Sequence, residues 1–373
     1  MRTRYFAFLI LSGFLLLALP ASFAANQCVD IFTTLPYQAD HSYGKQIFNR
    51  ELHSIEMLFK SVEDLSLAEQ LESILKLDGR RLFFHLRILS QSYEKNDPQF
   101  FTPKVKVFKK FEFLIGRFEL YTLLQKRMAK LDEPEVAARF ENERLQTLQQ
   151  FSKMLHKLGS AKKPAHLMRE LAHEFSQYAS WSQAEVDRRF LVDDAIQFAS
   201  ELNDKIKNNE FDDDELEKGL HKLRRKLREF IYRIVNMNGF IQLVDEGPLP
   251  PHLEEWYSNL TKQYPDLLNT PYLPKSVPEI AAPIRVALKL EAILTHIVAE
   301  IGEIKVPYET LLYIENAMNE GPFDVATKAR VESKLQKLKK QTSDQKEISH
   351  NYQQMIRDTQ LLDRIIEFLK KNN

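Results

Sequence analysis

The stretch "HKLRRKLREFIYRI", residues 221–234, carries six Lys or Arg residues and one His within thirteen positions. Its apolar residues recur three and four apart, which predicts an amphipathic α-helix. Residues 52–65 repeat that spacing, and strand-like alternation is absent over any useful length. With only ten glycines in 373 residues, the sequence predicts an all-α protein.

The first 24 residues have the order of a secretory signal peptide. Arg2 and Arg4 precede an apolar run from Tyr5 to Leu19, and Pro20 and small residues follow up to Ala24. Cleavage after Ala24 would give an exported, periplasmic protein with no transmembrane segment. An uncleaved anchor is the alternative, because the apolar run is nearly long enough to span a bilayer.

The remaining chain is balanced in charge and carries one cysteine, Cys28. A single cysteine cannot form an internal disulfide, so stability has to come from the core. The full chain has 52 basic and 52 acidic residues, which argues against a nucleic-acid-coating protein. A site for a polyanion would therefore be a local basic stripe, and we expect no sequence-specific nucleic-acid partner.

A proline-rich segment interrupts the helical pattern late in the chain. Residues 247–283 hold eight of the sixteen prolines and cannot be regular helix for long. We interpret this segment as a connector with one short helix at 252–264. The predicted organisation is a signal peptide at 1–24, a first helical bundle at 25–205, a second at 206–322 that contains the connector, and C-terminal helices at 323–373.

The two predicted bundles share a loose internal duplication. A basic-aromatic helix at 77–93 precedes a helix at 104–127, and a similar helix at 220–234 precedes one at 284–306. Both second helices reach an Ile-Gly pair, at Gly116 and Gly302. Glycine inside a helix costs about 1 kcal/mol relative to alanine, so the two glycines suggest close helix–helix approach, with chance as the alternative.

The second basic helix carries a recognisable pattern. His221, Arg224, Arg228 and Tyr232 fall at the spacing His-x-x-Arg-x-x-x-basic followed by an aromatic residue. In this the chain resembles the CHAD family over residues 70–306. The resemblance implies two related antiparallel helical bundles and a basic groove that binds inorganic polyphosphate.

The chain also departs from the family pattern. In the first half Arg81 and His85 take the Arg and the later basic places, but Asp78 stands where the His is expected. The second helices keep the glycine and lose the Arg-Asp pair that follows it, with Lys305 alone as a base. An exported member could therefore have kept the fold and lost the ligand, or could bind another polyanion.

A polyphosphate needs closely spaced cations, and arginine pairs with phosphate oxygens through two parallel hydrogen bonds. Residues three and four apart share a helix face, which groups the candidates into basic stripes. The alternative is that these stripes are the solvated sides of amphipathic helices, paired in part with the acidic run at 211–217. The candidate polyanion-binding residues are Arg81, His85, Lys106, Lys109, Lys110, Arg117, His221, Arg224, Arg225, Arg228, Tyr232 and Lys289.

Signals for metal binding and catalysis are weak. His166, Glu170 and His173 share one helix face, but they span two turns and a surface triad is the simpler interpretation. We find no nucleophile elbow and no phosphate-binding glycine loop. The sequence predicts a protein that is not an enzyme and needs no cofactor.

Two functions from different classes remain. One is a polyanion-binding module, in which basic residues of both halves converge on one concave surface. The other is a helical envelope scaffold that binds a protein partner, for which basic residues should scatter and an exposed apolar patch should appear.

Overall fold

The computed structural model describes residues 42–159, 163–212, 215, 218–237, 239–245, 249–263, 273, 283–341 and 345–371. Within them it has thirteen α-helices and two short strands, so the all-α prediction is confirmed. The predicted leader and Cys28 lie outside the described residues. The elements are α1 (Tyr43–Lys60), α2 (Leu67–Lys76), α3 (Gly79–Glu94), α4 (Pro98–Lys130), α5 (Pro134–Lys157), α6 (Pro164–Gln177), α7 (Ala184–Lys207), α8 (Leu220–Val235), β1 (Ile241–Val244), α9 (Pro251–Gln263), β2 (Ile284–Ala287), α10 (Leu288–Glu320), α11 (Val325–Gln341), α12 (Gln345–Asp358) and α13 (Leu361–Lys371).

Local sequence signals set several helix starts. Pro98, Pro134 and Pro164 occupy the first turn of α4, α5 and α6, where the missing N–H costs nothing and the fixed φ suits a helix. At α2, Ser66 and Glu69 form a reciprocal capping box, which satisfies two backbone N–H groups at the helix start. The chain therefore turns between helices in few residues.

The strand pair was not expected from the sequence. The segment predicted as helix from 284 begins instead with β2, which pairs in parallel with β1 so that Ile241 lies opposite Ile284. Ile284 and Val286 are buried while Arg285 between them is exposed, the two-residue alternation of a strand. The helical part, α10, therefore starts at Leu288, and the expected short helix in the connector is present as α9.

One hydrophobic core connects most of the helices. It includes residues from Tyr43 in α1 to Leu369 in α13 and draws on both predicted halves, while a second cluster joins parts of α4, α5, α10 and α11. Within the core, α3 packs on α4, α1 on α6 and α8 on α10, while α13 packs on α7 and β2. Aromatic rings fill the first half, with Phe83 stacked on Phe111 at a centroid distance of 4.6 Å.

Buried ion pairs join the two predicted halves. Arg87 on α3 donates from Nε to Glu112 on α4 at 2.8 Å and lies 3.5 Å from Glu229 on α8. One turn further along the same face of α8, Arg233 lies 3.2 Å from Asp194 of α7. Because a charge buried without a partner is costly, these pairs fix how α8 sits against α3 and α7.

Candidate polyanion-binding site

Helices α3 and α8 cross at a small aromatic cluster that brings the two halves together. The guanidinium of Arg228 lies 4.4 Å from the ring centre of Phe84. The ring of Tyr232 is 4.8 Å from Phe84 and 4.3 Å from His85. Since Phe84, His85 and Tyr232 are buried, this cluster forms the floor on which the basic side chains rest.

Each predicted helix-internal glycine is covered by an arginine from the preceding basic helix. A Cβ on Gly116 of α4 would lie 2.6 Å from Cζ and Nη2 of Arg80 on α3. A Cβ on Gly302 of α10 would lie 2.8 Å from Nη2 of Arg224 on α8. The sequence suggested that the glycines allow helix backbones to approach. What comes close to each of them is a guanidinium.

The two arginines differ in their counter-charge. Arg80 donates from Nη1 to Glu119 at 2.9 Å, three residues after Gly116. The corresponding position after Gly302 is Lys305, so Arg224 has a cation there. Among the described residues no carboxylate lies within 4 Å of Arg224, and its Nε donates to the Val298 carbonyl at 2.9 Å.

The charge of Arg224 is therefore poorly compensated. Burial, and next the positive charge of Arg228, lower the pKa of Arg224 to about 10. Burial also lowers the pKa of Lys305, which pairs with Glu309 at 2.8 Å and is repelled by Arg224 and Arg80. Cations from both halves are thus close enough to repel one another. We call Arg80, Arg81, Arg224, Arg228 and Lys305 the basic cluster.

His85 lies under this cluster without hydrogen-bond partners. Its side chain is 6% exposed, and neither ring nitrogen has a partner. Burial, followed by the charges of Arg81, Arg50 and Arg228, holds the pKa of His85 well below its usual range. The imidazole is therefore neutral at pH 7, and the charges that act on it are the positive charges of Arg81, Arg50 and Arg228.

Five of the twelve predicted site residues meet at this place, namely Arg81, His85, Arg224, Arg228 and Tyr232. Tyr232 is buried, so it supports the cluster from below. Arg81 is half-buried, with Nε 3.2 Å from Asp78.

The other predicted residues lie elsewhere. Arg117 donates to the Tyr121 hydroxyl at 2.6 Å and faces Glu143 of α5. Lys289 pairs with Glu254 of α9 at 2.7 Å. The remaining residues are exposed or half-exposed on α4 and α8: Lys106, Lys109, Lys110, His221 and Arg225.

Sequence reasoning missed two cations of this region. Arg80 makes the contact that corresponds to Arg224, whereas the repeat pattern had placed Arg81 there, one residue too late. The spacing from each arginine to its glycine does not reveal this, because the connector lengthens the second half. Arg50 comes from α1, which the pattern did not include.

The histidine pair tested for metal binding forms an ordinary surface contact. His166 Nδ1 lies 3.5 Å from Glu170. In the part of the chain that the structure covers, no group of three or more His, Cys, Asp or Glu residues could hold a metal ion. In the same residues, no helix combines the length and the apolarity required to cross a bilayer.

Comparison with known proteins gives no relative: no family model, curated protein or solved structure matches the chain.

Proposed function

We propose that this protein is a non-enzymatic polyanion-binding module, with inorganic polyphosphate as the favoured ligand, and that the ligand binds at the basic cluster. The observation that carries the proposal is Arg224, a half-buried guanidinium with no carboxylate partner among the described residues and a pKa lowered to about 10. A phosphate oxygen beside it would supply the missing negative charge.

The composition of the cluster supports a phosphate ligand. Four of its five cations are arginines, whose planar forks match phosphate oxygens, and three carboxylates stand at its edge, Asp78, Glu119 and Glu309. The excess of positive charge arises from both halves of the chain. A surface with one sign of charge and low-dielectric walls attracts a polyanion from a distance.

We further propose that the module acts after export to the periplasm, as the predicted leader implies. The ligand is then a polyanion present outside the cytoplasm, either polyphosphate or another phosphate-bearing polymer.

The alternative, a scaffold for a protein partner in the envelope, has less support. It expects a continuous exposed apolar patch. In the part of the chain that the structure describes, the large exposed apolar side chains belong to six different helices and one turn: Met57, Leu65, Phe113, Leu123, Leu145, Val186, Val306 and Val325.

The test is the binding of long-chain polyphosphate to the purified mature protein in a salt titration. We expect tight binding at low salt. The logarithm of the binding constant should fall linearly with the logarithm of the salt concentration, because binding releases counterions. The double variant Arg224→Ala/Arg228→Ala should lose more than tenfold in affinity, since each hydrogen bond to a charged group contributes about 1.5–3 kcal/mol.

The matched control is Arg117→Ala/Arg225→Ala, which removes the same charge outside the cluster and should bind within threefold of wild type. Circular dichroism of each variant establishes that it is folded. Equal losses in the two double variants, or no binding by wild type at low salt, would refute the proposal.

A further inference from the structure

The two helix-internal glycines have no backbone reason to be glycine. Positive φ angles among the described glycines occur only at Gly159 and Gly239, so Gly116 and Gly302 have ordinary helical backbones. Each nevertheless accepts the cost of glycine in a helix interior, about 1 kcal/mol relative to alanine. What glycine provides at both places is room for one guanidinium.

That room fixes the orientation of each arginine. Arg224 lies across Gly302, and its Nε is held by the Val298 carbonyl at 2.9 Å. Arg80 lies across Gly116, with one Nη bound to Glu119. A guanidinium seated in this way loses less side-chain freedom when a ligand arrives, so more of the interaction energy appears as affinity.

The two glycine seats, Gly116 under Arg80 and Gly302 under Arg224, belong to one site. The helices that carry the two arginines, α3 and α8, meet where Arg228 lies 4.4 Å from the ring centre of Phe84. Consistent with this contact, Arg80 contributes to lowering the pKa of Arg224, and both arginines lower the pKa of Lys305. On the Arg224 side, the described carboxylate that acts on the cluster is Glu309, which forms its ion pair with Lys305 and not with Arg224. An anion placed between Arg80 and Arg224 would relieve the repulsion for both halves at once.

We propose that Arg80 and Arg224 are a matched pair that binds one linear phosphate chain jointly, and that Gly116 and Gly302 are the binding determinants that seat them. This inference rests on the proposed function and deepens it. It states that the ligand bridges the two halves, that one chain binds per molecule, and that charge alone does not suffice without the glycine seats.

The experiment changes the seats and leaves the charges in place. Gly116→Ala and Gly302→Ala keep every Lys and Arg, but each new Cβ displaces a guanidinium. We expect each variant to lose at least fivefold in affinity for long-chain polyphosphate at fixed low salt. Their thermal unfolding should stay near that of wild type, because alanine favours the helix while the arginine has to move.

A double variant separates a displaced arginine from a damaged fold. If Gly302→Ala acts by moving Arg224, then Gly302→Ala/Arg224→Ala should bind no more weakly than Arg224→Ala alone. A further loss of affinity in the double variant, or a large drop in its melting temperature, would contradict the proposal that Gly302 acts by positioning Arg224.

A gain-of-function variant tests the pairing from the other side. Glu119→Gln removes the carboxylate that competes for Arg80, and we expect affinity to rise about threefold or more. The control Glu143→Gln removes a charge that faces Arg117 and should leave affinity within twofold of wild type.

The outcomes distinguish the two proposals. Suppose that wild type binds polyphosphate and Arg224→Ala lowers the affinity, but both glycine variants bind like wild type. The role of Gly116 and Gly302 in binding is then refuted, and the proposed function stands. If wild type does not bind at low salt, both are refuted. A stoichiometry of two chains per molecule would also overturn the shared site.

Discussion

Removing the positive charge of Arg224 should stabilise the protein in the absence of ligand. The substitution is Arg224→Met, which keeps a long unbranched side chain over Gly302. Lowering the pKa of a base means that its charged form is penalised in the folded state. The penalty is fully present at neutral pH and disappears only as pH rises through about 10 towards the value of the unfolded chain.

The size of the effect follows from that pKa. A fall from the usual arginine value to about 10 corresponds to about 3 kcal/mol, at about 1.4 kcal/mol for each tenfold change. Because Arg224 is only half-buried, solvent screening reduces this to about 2 kcal/mol. The lost hydrogen bond to Val298 offsets about 1 kcal/mol. We expect a net gain of about 1 kcal/mol.

Arg87 is the matched control, because it is a buried arginine with partners. It is 6% exposed as a residue and pairs with Glu112 and Glu229. Arg87→Met would leave the half-buried Glu112 without its cation and the buried Glu229 with Lys226 alone, and breaking a buried pair costs about 3–5 kcal/mol. The same chemical change should therefore act in opposite directions at the two positions.

Urea unfolding at pH 7 and low salt measures both free energies. Saturating polyphosphate should then raise the stability of wild type, by about 2.7 kcal/mol at a hundred times Kd, and raise that of Arg224→Met much less. If Arg224→Met loses stability to the same extent as Arg87→Met, the argument that Arg224 lacks a counter-charge is wrong.

Three further predictions concern the fold that holds the site. Asp187 is buried and accepts hydrogen bonds from three groups, including the Tyr93 hydroxyl at 2.7 Å. Asp187→Ala should therefore lower the free energy of unfolding in urea by about 3–5 kcal/mol. A decrease below about 1 kcal/mol would contradict this. Gly44→Ala should lower the melting temperature, although helices favour alanine, because the new Cβ overlaps Tyr93. Adding Tyr93→Phe should restore part of the lost melting temperature. Glu133 accepts two hydrogen bonds from Arg330, which hold the pKa of Glu133 below its usual range. Glu133→Gln should lower the free energy of unfolding at neutral pH, and this difference should vanish as the pH falls through the pKa of Glu133. A difference that does not change with pH would show that the charge of Glu133 is not what stabilises the contact.

The helical class could be predicted because hydrophobic periodicity is a local signal. Leu223, Leu227 and Phe230 share one face of α8 in the sequence and are all buried in the structure. The strands β1 and β2 could not be predicted in the same way. Each has four residues, and their pairing joins Ile241 to Ile284 across the connector, which no local pattern reveals.

The site was predicted in part for the same reason. Spacing on α8 identified Arg224 and Arg228 because they lie four residues apart on one face of the helix. In the structure Arg228 meets Phe84 of α3, and Arg224 meets Gly302 of α10. Spacing could not identify the carboxylates that compete for the other candidates. Arg117 is paired by α5 and Lys289 by α9, and these neighbours are set by packing between elements.

The burial of α13 has a consequence for how the protein is made. Leu361, Leu362, Ile365 and Leu369 pack into the same core as Tyr43, so that core stays open until residue 369 has left the ribosome. Contacts between such distant positions form slowly because loop closure has to come first. The core that Tyr43 belongs to is therefore complete only after α13 has been synthesised.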